Sequence, residues 1–146
     1  MNFLIIKTYG TEETIALGEK LGKCLEKGDV VTLNGDLGAG KTHFTKGIAK
    51  GLNVDDYITS PTFTIVNEHE GRIPLYHFDV YRIEDVYEMY EIGFEEYLYG
   101  EGVCIVEWSD KVKDMLPKDT IDIIISVIDD NTREFKISSK KELDLN

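Results

Sequence analysis

The chemistry that is easiest to recognise in this chain lies in residues Gly35–Thr42, which read G-D-L-G-A-G-K-T. This segment matches the phosphate-binding pattern G-x-x-x-x-G-K-[ST], in which backbone N–H groups form a nest for phosphate oxygens. In such a loop the side chain of Lys41 reaches the β- and γ-phosphates, and the hydroxyl of Thr42 coordinates Mg²⁺. The loop therefore predicts a nucleoside triphosphate and Mg²⁺ as ligands.

The segments on either side of this loop have the periodicities that a phosphate-binding loop requires. Residues Asp29–Asn34 form a short β-branched run that predicts a buried strand, and Phe44, Ile48 and Leu52 recur at helical spacing after the loop. A purely structural glycine turn is the alternative interpretation. A dinucleotide-binding fingerprint is disfavoured because His43 stands where its third glycine is required.

Acidic residues follow two apolar runs that we expect to be strands. Glu107 follows Val103–Val106, and Asp79 follows Leu75–Phe78. Either acid could hold Mg²⁺ directly or through water, while the other orients or deprotonates an attacking water. The alternative for each acid is an ordinary solvated strand end.

Two further segments are candidates for function. Thr59–Thr62 is dense in hydroxyls and stiffened by Pro61, so it could sense the γ-phosphate or form only a turn. Glu84–Glu101 contains seven acids and no lysine or arginine, interleaved with aromatic residues. It predicts either a solvated amphipathic helix or a docking face for a basic partner.

Composition limits the class of protein. The 146 residues are enough for one domain, and 42% hydrophobic and 30% charged residues are usual for a soluble globular protein. A formal net charge of −12 excludes a free-standing nucleic-acid binder, so any role on RNA would need a partner. No signal peptide or ~20-residue apolar run is visible, which predicts a cytoplasmic protein. Cys24 and Cys104 are expected to be small core residues, and the histidine spacing suggests no zinc site.

The elements expected along the chain alternate between strands and helices and then give antiparallel hairpins. We predict one α/β domain over residues 1–146, a P-loop NTPase-like three-layer sandwich with a mixed central sheet, and a frayed tail from about Lys140. Outside the loop region, the expected strands are Phe3–Lys7, Thr62–Asn67, Ile73–Asp79, Val103–Glu107, Ile121–Ile128 and Thr132–Ser138. The expected helices are Thr11–Glu26, Glu84–Leu98 with a break at Gly93, and Asp110–Leu116. In the first helix we expect Ile15, Leu21, Cys24 and Leu25 to face inward.

Several motifs together resemble the TsaE (YjeE) family, in the same order and at the same spacing over almost the whole chain. They are G-D-L-G-A-G-K-T, S-P-T-F-T from Ser60, H-F-D-V-Y-R from His77, G-F-E-E-Y-L from Gly93 and V-E-W from Val106. The resemblance implies an ATPase that assists the threonylcarbamoyladenosine modification of bacterial tRNA. It also implies a partner, the TsaB–TsaD heterodimer, in which TsaD transfers the group and ATP hydrolysis resets the complex.

The resemblance also implies roles for individual residues. It makes Thr42 and Glu107 similar to the family's Mg²⁺ ligands, and Asp79 and Thr62 similar to residues needed for hydrolysis together with Lys41. The residues that would contact the nucleotide are Thr11, Gly35, Leu37, Gly38, Ala39, Gly40, Lys41, Thr42, Trp108 and Arg133. His43 departs from the family pattern, in which a second threonine or serine is usual.

Three alternatives to a partner-activated ATPase follow from the residues. A small-molecule kinase would need a lid or acceptor-binding segment, and none is visible in the sequence. A GTPase is disfavoured because no N-K-x-D motif occurs. In a nucleotide-gated binding module, ATP occupancy would set partner affinity and hydrolysis would be incidental. Because no arginine finger is obvious, slow turnover alone is predicted, with Arg82 and Arg133 as the possible fingers.

Overall fold

A computed structural model describes residues 1–36, 38–56, 58–59, 61 and 65–145. These residues form a mixed α/β fold around a seven-stranded sheet. The strands are β1 (Asn2–Tyr9), β2 (Val30–Gly35), β3 (Val66–His69), β4 (Leu75–Asp79), β5 (Val103–Glu107), β6 (Ile121–Val127) and β7 (Thr132–Ser139). The helices are α1 (Thr11–Cys24), α2 (Lys41–Gly51), α3 (Tyr87–Glu91) and α4 (Phe94–Leu98), with a 3₁₀ helix at Ser109–Met115.

The strand order is β1-β7-β6-β2-β5-β4-β3. The four central strands β6, β2, β5 and β4 are parallel, and antiparallel pairs complete both edges. The predicted mixed sheet with antiparallel hairpins is confirmed. Because parallel strands end at the same edge, Gly35 of β2, Asp79 of β4 and Glu107 of β5 come together there.

Alternation along the central strands divides the core into two clusters, one on each face of the sheet. Val31 and Leu33 of β2 pack with α1 and α2, whereas Val30 belongs to the cluster formed with α4 and the 3₁₀ helix. Helices therefore lie on both faces, and the two middle parallel strands, β2 and β5, are almost completely buried.

Glycines set the approach of α1 to α2. A Cβ atom added at Gly18 or Gly22 of α1 would collide with the backbone of α2, and one at Gly47 or Gly51 would collide with α1. The two helices thus cross backbone to backbone through small residues four positions apart on each. This contact fixes the start of α2 relative to the start of α1, and both helix starts line the cavity described below.

The first helix is shorter than predicted. It ends at Cys24 and not at Glu26, because Leu25 is extended with ψ 145°. Its inward face is carried by Thr14, Leu17 and Gly18 together with the predicted Leu21, whereas Ile15 and Cys24 are only partly buried. The sequence pattern underestimated small residues on this face because glycine carries no hydrophobic signal.

The helical break at Gly93 is confirmed, since this residue has φ 75° and starts α4. The helix before it begins at Tyr87 and not at Glu84. The reason is local capping: the carboxylate of Glu88 accepts the backbone N–H of Glu84 at 2.8 Å, and Asp85 accepts that of Tyr87 at 3.0 Å.

Three other segments differ in detail from the predictions. The helix expected over Asp110–Leu116 is a 3₁₀ helix over Ser109–Met115 that is kinked at Val112. The hairpin strand expected from Thr62 is observed as β3 from Val66, and residues 62–64 lie outside the described residues. None of the helices in the described ranges is long and apolar enough to cross a membrane.

The end of the chain packs against the body, in contrast to the expected frayed tail. Leu145 is buried in the cluster on the α1–α2 face. The ammonium of Lys141 lies 2.6 Å from a carboxylate oxygen of Asp29, at the start of β2. An apolar anchor and an ion pair therefore hold a segment that is mostly polar in the sequence.

Candidate functional site

The phosphate-loop motif folds as a turn between β2 and α2. Gly38 and Gly40 have φ 81° and 104°, and a Cβ atom on either would meet nothing within 4 Å. Glycine is needed here for its left-handed backbone and not for packing space. Leu37 lies outside the described residues. Gly40 caps α2 without a side-chain hydrogen bond, so the positive end of the helix dipole faces the cavity.

Lys41 is nearly buried at the first position of α2. Its ammonium donates to the carbonyl of Gly35 at 2.8 Å and lies 3.9 Å from Oε1 of Glu107. The ring of Trp108 lies 4.2 Å from the same nitrogen, close enough for a cation–π contact. These three groups hold the ammonium at the floor of the cavity.

Glu107 is a buried carboxylate at the end of β5, with an exposed fraction of 3%. Its Oε2 lies 2.5 Å from Nε2 of His77, which is fully buried on β4. The other oxygen faces Lys41. Both carboxylate oxygens therefore have partners, which a buried charge requires.

Asp79 is next to Glu107 across the parallel pair of β4 and β5. The two acids occupy the same register position, so their side chains lie on the same face of the sheet. One carboxylate oxygen of Asp79 accepts the backbone N–H of Tyr81 at 3.0 Å, which orients the group. Both acids line the cavity, as the strand-end pattern predicted.

Trp108 adopts a left-handed backbone conformation with φ 60°, which is uncommon for a residue with a side chain. Hydrogen bonds between Asn34 and Ser109, at 2.9 and 3.1 Å, tie the turn that follows Trp108 to the end of β2. The indole packs against Tyr81 with ring centroids 4.7 Å apart. This turn aims the ring at Lys41 and forms one wall of the cavity.

The start of α1 and the β6–β7 turn form the opposite wall of the cavity. Gly10, Thr11 and Thr14 line this wall with Asp130 and Asn131. The backbone N–H of Gly10 donates to the carbonyl of Asn131 at 2.7 Å, which joins the two segments. Hydrogen bonds from Asn131 and Thr132 hold the pKa of Asp129 below its usual value and keep this turn closed.

Arg133 connects that turn to the phosphate loop. Its guanidinium donates to the carbonyls of Ala39 at 3.1 Å and Gly38 at 3.4 Å, and to that of Asp129 at 2.8 Å. The side chain thus braces the loop through backbone carbonyls. To contact a phosphate, the guanidinium would have to break some of these hydrogen bonds.

The two walls and the phosphate loop enclose a cavity of about 530 Å³, the size of a small-molecule site. Fourteen of the described residues line it, and they come from the start of α1, the phosphate loop with the start of α2, the ends of β4 and β5, and the terminal hairpin. Nine of them were predicted from the sequence: Thr11, Gly38, Gly40, Lys41, Thr42, Asp79, Glu107, Trp108 and Arg133. Gly35 and Ala39 contact the site through their carbonyls, which accept from Lys41 and Arg133. Leu37 and Thr62 lie outside the described residues, as do Ser60, Phe63 and Thr64.

Ile65, which follows the hydroxyl-rich segment in the sequence, is hydrogen-bonded to the backbone of Asp79. Ile65 has a left-handed backbone with φ 67°, and its carbonyl accepts the N–H of Asp79 at 2.9 Å. At the near end, the carbonyl of Thr59 accepts from Asn67 at 3.3 Å. A change at Ile65 would thus reach Asp79 through a backbone hydrogen bond.

His77 was not among the predicted site residues, although it contacts Glu107. The sequence did contain a pattern that could have identified His77, because strand alternation places it on the same face as Asp79. The sequence could not show that Glu107 lies within reach, since the β4–β5 register fixes that distance. His43 also lines the cavity.

Comparison with known proteins gives one consistent family. Residues 8–135 match the family model described as threonylcarbamoyl adenosine biosynthesis protein TsaE. The tRNA threonylcarbamoyladenosine biosynthesis protein TsaE of Bacillus subtilis is 46% identical over 91% of this chain and 84% of its own length. The protein of the same name from Treponema pallidum is 44% identical over 87% of this chain and 94% of its own. The crystal structure of Bacillus subtilis YdiB superimposes with a TM-score of 0.82 at 39% identity, covering 96% of this chain and 87% of that one.

Proposed function

The chain belongs to the TsaE family of tRNA threonylcarbamoyladenosine biosynthesis proteins, and we propose that it acts there as a Mg²⁺-dependent ATPase. In this proposal ATP binding and hydrolysis reset the TsaB–TsaD complex between turnovers, and the partner complex performs the modification. The observation that carries the proposal is the meeting of Lys41, at the start of α2, with Glu107, at the end of β5, inside one cavity. A phosphate-binding cation and a metal-directed acid are the two parts that phosphoryl chemistry needs together.

The described residues fit a triphosphate. The uncapped start of α2 and the left-handed glycines of the loop support anion binding through backbone N–H groups. We assign Lys41 as the cation for the β- and γ-phosphates. Gly35, Gly38, Ala39 and Gly40 are the described loop residues that we assign to phosphate binding, and the sequence motif adds Leu37 to them. The phosphate oxygens would replace the carbonyl of Gly35 as a partner of the ammonium.

The metal assignment rests on donor chemistry. The described residues form no cluster of three or more His, Cys, Asp and Glu side chains that could hold a metal by itself. Mg²⁺ does not need such a cluster, because it is usually bound by one or two carboxylates together with phosphate oxygens and water. We assign Thr42 and Glu107 as its protein ligands. When bound, Mg²⁺ would neutralise charge on the β- and γ-phosphates.

Asp79 and Thr62 are the residues we assign to hydrolysis beside Lys41 and Glu107. Asp79 is held by the N–H of Tyr81 and lies beside Glu107, so it can accept a proton from a water placed near the γ-phosphate. Trp108 shields Lys41 on one side, and shielding from water strengthens the attraction between the ammonium and phosphate oxygens. Thr11 and Arg133 belong to the opposite wall, where the rest of the nucleotide would lie.

The partner and the compartment follow from the family role. A formal net charge of −12 opposes direct binding of tRNA, so we propose that tRNA is contacted only through the TsaB–TsaD heterodimer. We place the protein in the cytoplasm, where such a modification acts on tRNA. Helices on both faces of a parallel-centred sheet support a P-loop NTPase-like three-layer sandwich as its fold.

The proposal is tested by measuring phosphate release from ATP with and without the TsaB–TsaD heterodimer. We expect slow hydrolysis by the chain alone, because Arg133 is engaged by loop carbonyls and no free arginine finger is evident among the other cavity-lining residues. Addition of the heterodimer should raise the rate at least tenfold. Equal rates with and without the heterodimer would contradict partner activation, and formation of a phosphorylated small molecule would favour the kinase alternative.

A further inference from the structure

A second cavity lies on the face of the sheet opposite α1 and α2. It has a volume of about 330 Å³ and is lined by Tyr76, Ile92, Glu96, Tyr97 and Gly100. We call it the aromatic cavity. Its size is at the lower end of the range for ligand pockets, which suits one long side chain better than a nucleotide.

Two tyrosine rings form the aromatic cavity's main surface. The rings of Tyr76 and Tyr97 meet edge to face, with centroids 4.8 Å apart and planes at 69°. Phe78 backs Tyr97 at 5.3 Å in the same manner. This packing holds the rings in place, and the negative faces of aromatic rings attract cations.

Carboxylates surround these rings. Glu96 lines the cavity, and Glu68 lies opposite Tyr76 in the β3–β4 pair. Burial, and next the charge of Glu68, raise the pKa of both tyrosines. Over the described ranges, neither carboxylate is within ion-pair distance of a lysine or arginine.

The surface next to the aromatic cavity is also acidic and carries exposed tyrosines. Between Glu84 and Glu101 there are seven acids and no basic residue. Tyr87 and Tyr90 of α3 are 69% and 52% exposed. A surface of this charge repels nucleic-acid phosphates, whereas exposed tyrosines are common where proteins bind one another.

From this geometry we infer that the aromatic cavity receives an arginine side chain of a basic protein partner, with the guanidinium against Tyr76 and Tyr97 and paired with Glu96. Arginine fits better than lysine because its planar guanidinium stacks on aromatic rings and binds carboxylates with two parallel N–H groups. The identity of that partner rests on the proposed function, which makes it the TsaB–TsaD heterodimer. The chemistry of the cavity does not depend on that identity.

The first test measures binding of the heterodimer to the full chain, loaded with Mg²⁺ and a non-hydrolysable ATP analogue. Glu96→Gln should weaken binding about tenfold, and Glu96→Lys should weaken it further because its own ammonium would occupy the cavity. Glu142→Gln removes an exposed charge elsewhere and should bind like the wild type. Affinity for the ATP analogue should be the same in all four proteins. Glu96 variants that bind within twofold of Glu142→Gln would overturn the inference.

A second measurement separates this inference from the proposed function. N-acetylarginine methylamide is titrated into the wild-type chain while the ring resonances of Tyr76 and Tyr97 are followed by NMR. We expect saturable shifts that are at least fivefold weaker in Glu96→Gln, with no such shifts from N-acetylglutamine methylamide. If the heterodimer does not bind the wild type but these shifts occur, the proposed partner is wrong and the cavity assignment stands. Absence of the shifts overturns the cavity assignment even if the heterodimer binds.

Discussion

Nε2 of His77 lies 2.5 Å from Oε2 of Glu107, and both side chains are buried. Glu107 therefore faces Lys41 with one oxygen and is fixed by the imidazole through the other. Partners of this kind, one shell behind a functional carboxylate, orient it and commonly affect activity 10- to 100-fold.

The first prediction concerns His77. His77→Leu should lower kcat for ATP hydrolysis about 10- to 100-fold, because Glu107 loses the group that orients it. His77→Gln, whose amide can donate to the same oxygen, should recover most of that loss. The measurement is kcat and KM for Mg²⁺–ATP in both variants, with thermal unfolding as a check on folding. Equal losses in the two variants would show that packing, and not the bond to Glu107, is what matters.

The second prediction concerns the brace from Arg133 to the phosphate loop. Arg133→Lys keeps the charge but cannot donate to the carbonyls of Gly38, Ala39 and Asp129 together. We expect the affinity for a fluorescent ATP analogue to fall about fivefold to tenfold in Arg133→Lys and no less in Arg133→Ala. Full affinity in Arg133→Lys would mean that the positive charge acts on the nucleotide directly.

The third prediction concerns the crossing of α1 and α2. Gly47→Ala should lower the free energy of unfolding by about 1–3 kcal/mol, because the added methyl group collides with the carbonyl of Ile15. Lys50→Ala on the exposed face of α2 is the control and should change stability by less than about 0.5 kcal/mol. Urea unfolding of both proteins gives these values. A neutral or stabilising Gly47→Ala change would show that the helices can separate freely.

The fourth prediction concerns Cys104 and pH. Burial raises the pKa of this thiol from 9.0 to about 12. Above pH 9 the unfolded chain loses the thiol proton while the folded protein keeps it, so stability falls as pH rises from 9 towards 12. Urea unfolding at pH 8 and pH 10 should show wild type losing about 1 kcal/mol more than Cys104→Ala over this interval. An identical pH dependence in the two proteins would place Cys104 in contact with water.

The sequence predicted the parts of the fold that depend on local patterns. The apolar run Val103–Val106 followed by Glu107 gave β5 with its observed bounds, and Gly93 gave the break between α3 and α4. The phosphate loop could be located because the sequence pattern G-x-x-x-x-G-K-[ST] is itself the signature of such a loop. In these segments neighbouring residues alone determine the local structure.

Contacts between distant segments could not be predicted in the same way. The pairing of His77 with Glu107 depends on the register of β4 against β5, and the brace from Arg133 depends on where the terminal hairpin packs. The buried Leu145 looked like part of a polar tail because burial here comes from packing against another part of the chain. Each of these features is set by tertiary structure, which single-sequence periodicity does not contain.

The most direct test of the central claim measures repeated turnover of tRNA modification by the TsaB–TsaD heterodimer with Glu107→Gln. ATP-analogue binding is measured first, with Glu142→Gln as the matched control and Asp79→Asn as a second variant if Glu107→Gln binds ATP poorly. We predict that the variant binds ATP, cleaves it at least about 100-fold more slowly, and supports no more than one round of modification per complex. Many rounds without ATP cleavage would contradict the resetting role and favour a nucleotide-gated binding module.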